Sequence, residues 1–344
     1  MICQNMALLD VLSNKNVKSP PPVWFMRQAG RYLPEYRAER QKHPDFMNFC
    51  FTPDAVTKVT LQPIERFDFD AAIIFSDILT IPHLLGQNVS FHEGIGPVLE
   101  PVSWDSFLDR AEKTCLLDGL TPVLQGISQT RQALASHKAL IGFCGSPWTV
   151  ATYMINGGKN TTFHATLSFT QERKDIFHRL LATLERHIGD SLKAQIQAGC
   201  QVVQIFDSWA SAVPEEHRNQ WLFEPLERIC AHLNAYNPHV PIIYYGRGIS
   251  KAYDGVHKKI PNLCFGVDET ADLSTITPYA AIQGNLCPKK LAEGGFEATV
   301  QSILTHMRER PFVFNLGHGI LPHTPIEHVY QVLRLIRSVV ARPL

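Results

Sequence analysis

Short apolar runs recur along the chain, and each is followed closely by glycine or a polar residue. Runs of this length, bounded in this way, are typical of strands that are buried on both faces. The runs are Val23–Met26, Ala71–Phe75, Ala139–Phe143, Val202–Phe206, Val240–Tyr245, Leu263–Val267, Ala280–Gln283 and Phe312–Asn315. The pattern therefore predicts eight strands.

Stretches with helical periodicity separate most of these runs. In Phe169–Ala198 the apolar positions recur at helical spacing, at Ile176, Leu180, Leu181, Leu184, Ile188 and Leu192. Near the carboxyl terminus, Thr324, Pro325 and Glu327 match a capping box with proline in the first turn, which predicts a helix start. Strands that alternate with helices indicate a parallel sheet covered by helices. Eight strands favour a closed (β/α)8 barrel of the TIM type over an open doubly wound sheet.

No Pro-, Gly- or Ser-rich linker divides the sequence, so we expect residues 1–344 to form one barrel domain. The second and third runs lie farther apart than one helix and its loops require. We therefore expect an additional helix or a lid within Gly86–Ser136.

Composition excludes several classes of protein. Lys+Arg and Asp+Glu are both 32, so the chain lacks the basic excess of a nucleic-acid binder, and an anionic ligand would need a local cluster. The eight cysteines include no C-x-x-C pair, which argues against a disulfide framework or a zinc finger and favours buried thiols. The first residues, Met1–Asn5, do not begin a signal peptide, and no apolar segment reaches transmembrane length. We expect a cytoplasmic protein without a membrane partner.

The first run leads into two arginines, Arg27 and Arg31, which flank Gln28, Ala29 and Gly30. A guanidinium group binds carboxylate or phosphate through two parallel hydrogen bonds and stays charged at all relevant pH values. Two such groups beside a core predict a site for a multiply anionic ligand. Two ordinary surface arginines are the alternative interpretation.

In a (β/α)8 barrel the active site is built at the carboxyl ends of the strands. The residues found there in this sequence include Asp77, Tyr153, Phe206, Ser208, Arg247 and His318. A carboxylate such as Asp77 is costly at an apolar barrel mouth unless it meets a cation or hydrogen-bond donors, although an ordinary helix cap also explains it. Packing explains Tyr153, capping explains Ser208, and a structural role explains His318 equally well. The short Gly246-Arg247-Gly248 turn does not by itself indicate phosphate binding.

Six longer motifs occur in order along the chain: WFMRQAGRYLPEYR, FSDILTIP, GFCGSPWTVATYMINGG, QIFDSWA, QGNL and FNLGHGILP. In sequence and in order they resemble the uroporphyrinogen decarboxylase family. The resemblance covers about Pro22 to Pro325. The family has a (β/α)8 barrel, so the resemblance implies the same fold as the strand count.

The resemblance implies a substrate and a reaction. The substrate would be uroporphyrinogen III, an octacarboxylate tetrapyrrole, and four acetate arms would become methyl groups to give coproporphyrinogen III on the route to haem. The pyrrole ring itself accepts the electrons, so no metal and no organic cofactor is implied. Ring protonation gives an iminium-like cation, loss of carbon dioxide restores the neutral ring, and a second proton completes the methyl group. The family also implies a homodimer.

By matching position, the resemblance assigns roles to individual residues. Asp77 would accept hydrogen bonds from the pyrrole N–H groups and stabilise the cation. Arg27 and Arg31 would hold substrate carboxylates, and Arg27 is the candidate proton donor. The remaining implied contacts are the backbone of Gln28, Ala29 and Gly30, the ring face of Phe206, and the side chains of Tyr153, Ser208 and His318.

The sequence departs from the family pattern at a few positions. Cys287 stands where aspartate is expected, Ser211 where glycine is usual, and His323 where glutamate is common. Tyr244–Gly248 replaces the usual lysine-containing glycine turn. None of these positions carries an implied substrate contact, so the departures concern loop shape and affinity more than the reaction.

Two other functions remain open from the sequence. The first is a zinc-dependent corrinoid methyltransferase of the same superfamily, which needs thiolate and histidine ligands, typically a His-x-Cys pair and a distant cysteine. No His-x-Cys occurs here, although Cys144 and Cys264 are candidates to approach the barrel mouth. The second is a non-catalytic tetrapyrrole carrier, against which the retention of both arginines, Asp77 and Tyr153 argues.

Overall fold

The structure is a computed structural model that describes residues 6–159, 162–276 and 280–339. The predictions for Met1–Asn5, including Cys3, lie outside this range. Its main feature is a curled parallel sheet with the order β1-β4-β5-β6-β7-β8-β9. The strands are β1 Ala71–Ile73, β4 Ala139–Gly145, β5 Val202–Asp207, β6 Ile242–Gly246, β7 Cys264–Gly266, β8 Ile282–Leu286 and β9 Phe312–Leu316. An antiparallel hairpin, β2 Val89–His92 and β3 Gly96–Leu99, follows the first strand.

Helices connect the strands and cover the outside of the sheet. The α-helices are α1 Ala7–Leu12, α2 Pro34–Arg40, α3 Phe46–Cys50, α4 Pro53–Phe67, α5 Thr80–Leu84, α6 Trp104–Ala111, α7 Leu116–Ala133, α8 Pro147–Asn156, α9 His164–Glu172, α10 Lys174–Ala198, α11 Glu224–Tyr236, α12 Tyr253–Lys259, α13 Pro288–Glu293, α14 Glu297–His306 and α15 Ile326–Arg337. Short 3-10 turns lie at Ala210–Ala212, Glu215–His217 and Ser250–Ala252, and a π-helical turn at Asn219–Phe223. In the part of the chain described, no helix is both long and apolar enough to cross a membrane.

The first predicted strand, Val23–Met26, does not form a regular strand. Only Val23 makes a parallel bridge, to Phe314 in β9, and on its other side the Asp70 N–H donates to the Val23 carbonyl at 3.0 Å. The segment therefore lies between β9 and the start of β1, the two edges of the sheet. The prediction of eight regular strands was wrong on this point, since seven strands make up the sheet within the described ranges.

Side chains take over the hydrogen bonds that a regular ladder would supply to this segment. Asp70 Oδ2 accepts from the Val23 N–H at 2.7 Å, and Asn315 Oδ1 accepts from the Met26 N–H at 3.0 Å. Gln28 Oε1 accepts from the Phe25 N–H at 3.1 Å. Buried backbone N–H groups must be paired, and a side chain satisfies that need without imposing strand geometry. The chain can therefore turn sharply immediately after Met26.

Two apolar layers stabilise the fold. An inner layer of inward-facing side chains fills the curled sheet, and α1 packs against it. Trp24 and Met26 belong to this inner layer although their segment is not a strand. A polar chain crosses it, in which Trp24 Nε1 donates to Gln283 Oε1 at 2.9 Å and Gln283 Nε2 donates to Gln204 Oε1 at 3.1 Å. The larger outer layer lies between the sheet and the helices.

Three predicted features outside the sheet can be compared with the structure: the extra element after β1, the long helix and the last helix start. The expected extra element within Gly86–Ser136 is confirmed as the β2–β3 hairpin and α6, which precede α7. The helix predicted over Phe169–Ala198 is instead divided into α9 and α10 at Arg173, whose φ of −127° and ψ of 46° are not helical. The capping box was wrong: α15 begins at Ile326 without a side-chain cap, and Thr324 Oγ1 is buried with no hydrogen-bond partner among the residues that the structure describes.

Candidate active site

The loop after Met26 presents two arginines to solvent at the carboxyl end of the sheet. Arg27 has a φ of 62°, a left-handed conformation that turns the chain away from the sheet. Arg31 is also exposed, and its carbonyl accepts from Arg37 Nη1 at 2.8 Å, which holds the loop. Neither Arg27 nor Arg31 pairs with a carboxylate among the described residues. The predicted pair of arginines is thus available to an anionic ligand.

Gln28 has a structural role in this loop. Its side chain is fully buried, and Nε2 donates to the Ala71 carbonyl at 3.0 Å while Oε1 accepts from Phe25. Its own N–H donates to the Phe25 carbonyl at 3.0 Å. Of the three residues Gln28, Ala29 and Gly30, the last two keep backbone N–H groups without an acceptor in the described ranges. The backbone contact predicted for Gln28 therefore narrows to its two neighbours.

Asp77 lies half-buried on the loop after β1, with one oxygen anchored and the other open. Its Oδ1 accepts from the Leu79 N–H at 2.9 Å, and Oδ2 accepts no hydrogen bond from described residues although it is not sealed from solvent. Burial raises the pKa of Asp77 to about 6, while the Leu79 N–H and the charge of Arg27 oppose that rise. The helix-cap interpretation was wrong, because α5 begins at Thr80 without a side-chain cap and Asp77 Oδ1 instead closes an Asx turn on Leu79. The second oxygen remains available.

Tyr153 lies in the helix that follows β4, and Ser208 lies on the loop that follows β5. Tyr153 is part of α8, and its ring lies 5.8 Å from that of Trp209. Burial raises the pKa of Tyr153, and the nearby Asp77 charge adds to the rise. Ser208 is partly exposed, and its hydroxyl has no partner within the described segments. The Tyr153 hydroxyl is therefore close enough to Asp77 to contact the same ligand, and the Ser208 hydroxyl is available at the same end of the sheet.

Three aromatic side chains from neighbouring strands form a surface beneath these polar groups. The ring of Phe206 in β5 lies 5.5 Å from that of Phe143 in β4 and 5.9 Å from that of Tyr245 in β6. Phe206 and Phe143 are only partly buried. An apolar ring has a complementary surface here, with the polar groups arranged around it.

His318, on the loop after β9, is held as a neutral imidazole. Burial and the positive charges of Arg27 and Arg247 lower its pKa to about 3. Its Nδ1 accepts from the Gly319 N–H at 2.6 Å, so the proton of the neutral ring lies on Nε2. The ring of Tyr245 meets it edge-on at 6.3 Å. His318 thus offers one hydrogen-bond donor to a ligand and no charge.

A second buried carboxylate, Asp207, has no free oxygen for a ligand. Its Oδ1 accepts from Thr149 Oγ1 at 2.6 Å and its Oδ2 accepts from the Tyr244 hydroxyl at 2.9 Å. Burial raises its pKa as well. The contrast with Asp77 is informative, because Asp77 keeps one oxygen open to a ligand and Asp207 does not.

Three residues near the site were not assigned to it from the sequence. Tyr245 belongs to the aromatic surface, and the charges of Arg247 and Lys159 both act on His318. Arg247 and Tyr245 stand at the end of a predicted strand, and this position was the available signal. Lys159 lies after two glycines that end α8, and nothing in its local sequence marks it.

The sequence profile of the family described as uroporphyrinogen decarboxylase (URO-D) matches residues 3–339. The chain belongs to the uroporphyrinogen decarboxylase family. A protein of that name from Rhodospirillum rubrum is 43% identical over 326 residues, covering 93% of this chain and 94% of the relative. Relatives of the same name from Chelativorans sp. and Brucella melitensis are 42% and 40% identical and cover 96% and 97% of this chain, and 98% and 99% of their own lengths.

Solved structures share the fold at much lower identity. A methyltransferase from Methanosarcina mazei superposes with a TM-score of 0.74 at 16% identity, covering 98% of both chains. A putative vitamin-B12-independent methionine synthase from Listeria monocytogenes gives a TM-score of 0.54 at 13% identity, covering 95% of this chain and 97% of its own. At these identities the similarity concerns the architecture that the uroporphyrinogen decarboxylase family shares with them.

The cysteines singled out for a zinc site do not meet at the mouth of this uroporphyrinogen decarboxylase family member. Cys144 faces α10, where its Sγ lies 3.6 Å from Ser191 Oγ, and burial raises its pKa to about 12. Cys264 opens β7 at the opposite end of the sheet, 3.3 Å from Lys15 Nζ. The described residues contain no group of three His, Cys, Asp or Glu side chains able to hold a metal ion. The two candidate thiols therefore lie far apart, and neither faces the mouth.

Proposed function

We propose that this chain decarboxylates the four acetate side chains of uroporphyrinogen III and releases coproporphyrinogen III. Membership of the uroporphyrinogen decarboxylase family supports the reaction. The observation that carries the residue assignment is Asp77, whose Oδ2 is free beside Arg27 at the edge of an aromatic surface. In this position a carboxylate can face the macrocycle while cations face its acidic arms.

In the proposed complex the ring lies against Phe206, and the acidic arms reach outward. Arg27 and Arg31 bind carboxylates, the Ala29 and Gly30 N–H groups add donors, and Tyr153, Ser208 and His318 supply neutral donors. Two unpaired guanidinium groups suit an octacarboxylate, because each pairs with one acid without first losing an internal partner. Neutral donors add hydrogen bonds without further charge.

The proposed role of Asp77 follows from where charge develops. The ring carbon that bears an acetate arm takes up a proton, which leaves a positive charge on the pyrrole. The C–C bond to the carboxylate then breaks, carbon dioxide leaves, and the electron pair of that bond neutralises the ring as an exocyclic methylene. A second proton adds to the methylene to complete the methyl group, and the ring carbon loses the first proton, which restores the aromatic pyrrole. A fixed carboxylate that accepts the pyrrole N–H hydrogen bonds stabilises the cation at the moment it forms. Arg27 is our candidate for the proton donor.

The proposal includes a closed (β/α)8-type barrel as one domain over residues 1–344, in which the irregular Val23–Met26 segment takes the place of the eighth strand. The position of Val23 between β9 and Asp70 supports closure, because its backbone hydrogen bonds reach both edges of the sheet. We also propose a cytoplasmic homodimer that works without metal or organic cofactor. Sedimentation velocity at micromolar concentration tests the dimer, and a single species with the mass of one chain contradicts it.

The experiment that tests the function is anaerobic incubation of the purified protein with uroporphyrinogen III, followed by chromatography of the oxidised products. We expect coproporphyrin and four equivalents of carbon dioxide. A parallel sample is dialysed against EDTA and should keep full activity. If EDTA abolishes activity and zinc restores it, the methyltransferase alternative gains and the cofactor-free mechanism fails. If the substrate binds unchanged, the chain is a carrier.

A further inference from the structure

Arg247 stands on a backbone that is fixed from two sides. Its own N–H donates to the Asp207 carbonyl at 3.1 Å, which ties the end of β6 to the end of β5. The next N–H, that of Gly248, donates to the carboxylate of Asp268 after β7. Gly248 has a φ of 74°, and a Cβ there would come within 2.8 Å of Ser211 Cβ. The loop therefore fixes the backbone of Arg247, and none of these contacts involves its side chain.

The partner that the side chain has is weak. Arg247 Nη2 lies 3.9 Å from Glu269 Oε1, which is beyond hydrogen-bond distance, and the arginine side chain is 41% exposed. The other oxygen, Glu269 Oε2, is buried without a hydrogen-bond partner within the described residues. It rests on Gly317, where a Cβ would approach it to 2.6 Å. One oxygen of Glu269 thus has no hydrogen bond, and the other is too far from the Arg247 guanidinium to accept one. Such a pair contributes little to the stability of the fold.

This loose pair lies at the mouth of the candidate active site. Arg247 follows β6, Glu269 follows β7 and Gly317 immediately precedes His318 after β9. The charges of Arg247 and Arg27 both act on His318 and on Tyr245. The two arginines therefore approach the same ring pair, Arg27 from the loop before α2 and Arg247 from the loop after β6. An octacarboxylate spans such a width, and two arginines on one side leave most of its acids unpaired.

We propose that Arg247 is a third carboxylate-binding arginine of the cleft, and that Glu269 holds its guanidinium loosely until a carboxylate of the tetrapyrrole displaces it. The inference rests on the proposed function and adds a binding residue to it. Because one carboxylate replaces another on the guanidinium, Arg247 keeps a counter-ion before and after the substrate binds. Because the ground-state pair is loose, displacing Glu269 costs little.

The test measures KM and kcat for uroporphyrinogen III with wild type, Arg247→Gln, Arg247→Lys and Glu269→Gln. Arg247→Gln should raise KM about tenfold and change kcat little, as expected when one charge-assisted hydrogen bond is lost. Arg247→Lys keeps the charge but loses the planar guanidinium, so its KM should lie between those of wild type and Arg247→Gln. Glu269→Gln removes the competitor and should lower KM by about two- to threefold, the scale of an exposed ion pair. Arg247→Gln should therefore raise KM, and Glu269→Gln should lower it.

A matched control is Arg228→Gln. Arg228 lies on α11, outside the site, is also partly exposed, and forms an ion pair with Glu185 of α10 at 2.8 Å. Its KM should equal that of wild type. An unchanged KM in Arg247→Gln, or an increase in KM in Glu269→Gln, overturns the inference while wild type still releases carbon dioxide. A lower thermal midpoint with unchanged KM assigns the pair to loop stability and overturns it too. Failure of wild type to turn over is a different result and rejects the proposed function itself.

Discussion

The side chain of Arg27 lies directly across the Cα of Gly319. A Cβ built on Gly319 would come within 2.8 Å of Arg27 Cγ and 2.9 Å of its Nε, closer than such contacts occur in proteins. The loop after β9 therefore sets the direction of an arginine that belongs to the loop after Met26. Because Arg27 adopts a left-handed backbone conformation at the same point, its guanidinium is directed by both its own turn and its neighbour.

Gly319→Ala should therefore displace Arg27 without unfolding the protein. The backbone at Gly319 accepts alanine, and the exposed arginine can move aside, so we expect the thermal midpoint to change little. Activity should fall by about 10- to 100-fold in kcat/KM, the scale of a misplaced reacting group. Gly255→Ala in α12 is the matched control, because a Cβ there meets nothing within 4 Å, and its activity should not change. Equal activity in both variants would mean that Arg27 needs no such guidance.

Asp77→Asn should nearly abolish turnover and keep the fold. Asparagine retains an oxygen for the Leu79 N–H but no charge for the ring cation, and loss of one such group typically costs about 100- to 1000-fold in rate. Asp77→Glu keeps the charge one methylene away and should retain more activity than Asn. The measurement is kcat for the three proteins with circular dichroism as the folding control. Wild-type turnover in Asp77→Asn would leave Asp77 with only a structural role in the turn before α5.

Because the pKa of Asp77 is raised, lowering the pH should reduce activity and at the same time remove a cost to folding. Its pKa is about 6 in the fold against 3.8 for the free group, so decarboxylation should decline as pH falls through about 6. The ionised carboxylate opposes folding above that pH, and the penalty disappears as pH falls toward 4. Asp77→Asn should therefore be more stable than wild type by about 1–3 kcal/mol at pH 8. Denaturant unfolding at pH 8 and pH 4 tests this, and an equal difference at both values contradicts it.

His318 should remain neutral across the range in which the enzyme works. Burial and the charges of Arg27 and Arg247 lower its pKa to about 3 from 6.5. Its contribution to stability is therefore present above pH 6.5 and is lost as pH falls from there toward 3. Histidine resonances in a ¹H–¹⁵N NMR titration, assigned by comparison with His318→Gln, should show no protonation of this ring between about pH 5 and 8. A midpoint near 6.5 would contradict the neutral donor role.

Arg27 and Arg31 should respond differently to replacement by lysine. Lysine keeps the charge and loses the planar fork. Arg31→Lys should raise KM several-fold with kcat unchanged, as expected for a residue that only binds a carboxylate. Arg27→Lys should also lower kcat, because Arg27 is the candidate proton donor. Equal kcat for Arg27→Lys and wild type at saturating substrate would remove Arg27 from that role.

Local pattern in the sequence determined the alternation of strands and helices and placed the chemistry at strand ends. Apolar runs such as Val202–Phe206 recur as strands because burial on both faces demands continuous apolar residues, whatever the partners are. The segments that follow them carry Asp77, Tyr153, Ser208 and His318, and parallel strands bring such segments to one edge. The arginines at 27 and 31 were identified for the same reason.

Only the tertiary structure decided how each polar group is used, because hydrogen-bond partners come from distant parts of the chain. Gln28, predicted among the ligand contacts, satisfies Phe25 and Ala71 and frees the Val23–Met26 segment from strand geometry. Asp207 and Asp77 both follow apolar runs, yet Thr149 and Tyr244 occupy both oxygens of Asp207, whereas Asp77 keeps one free. A sequence shows which groups can donate or accept, and the fold determines which of them are already satisfied.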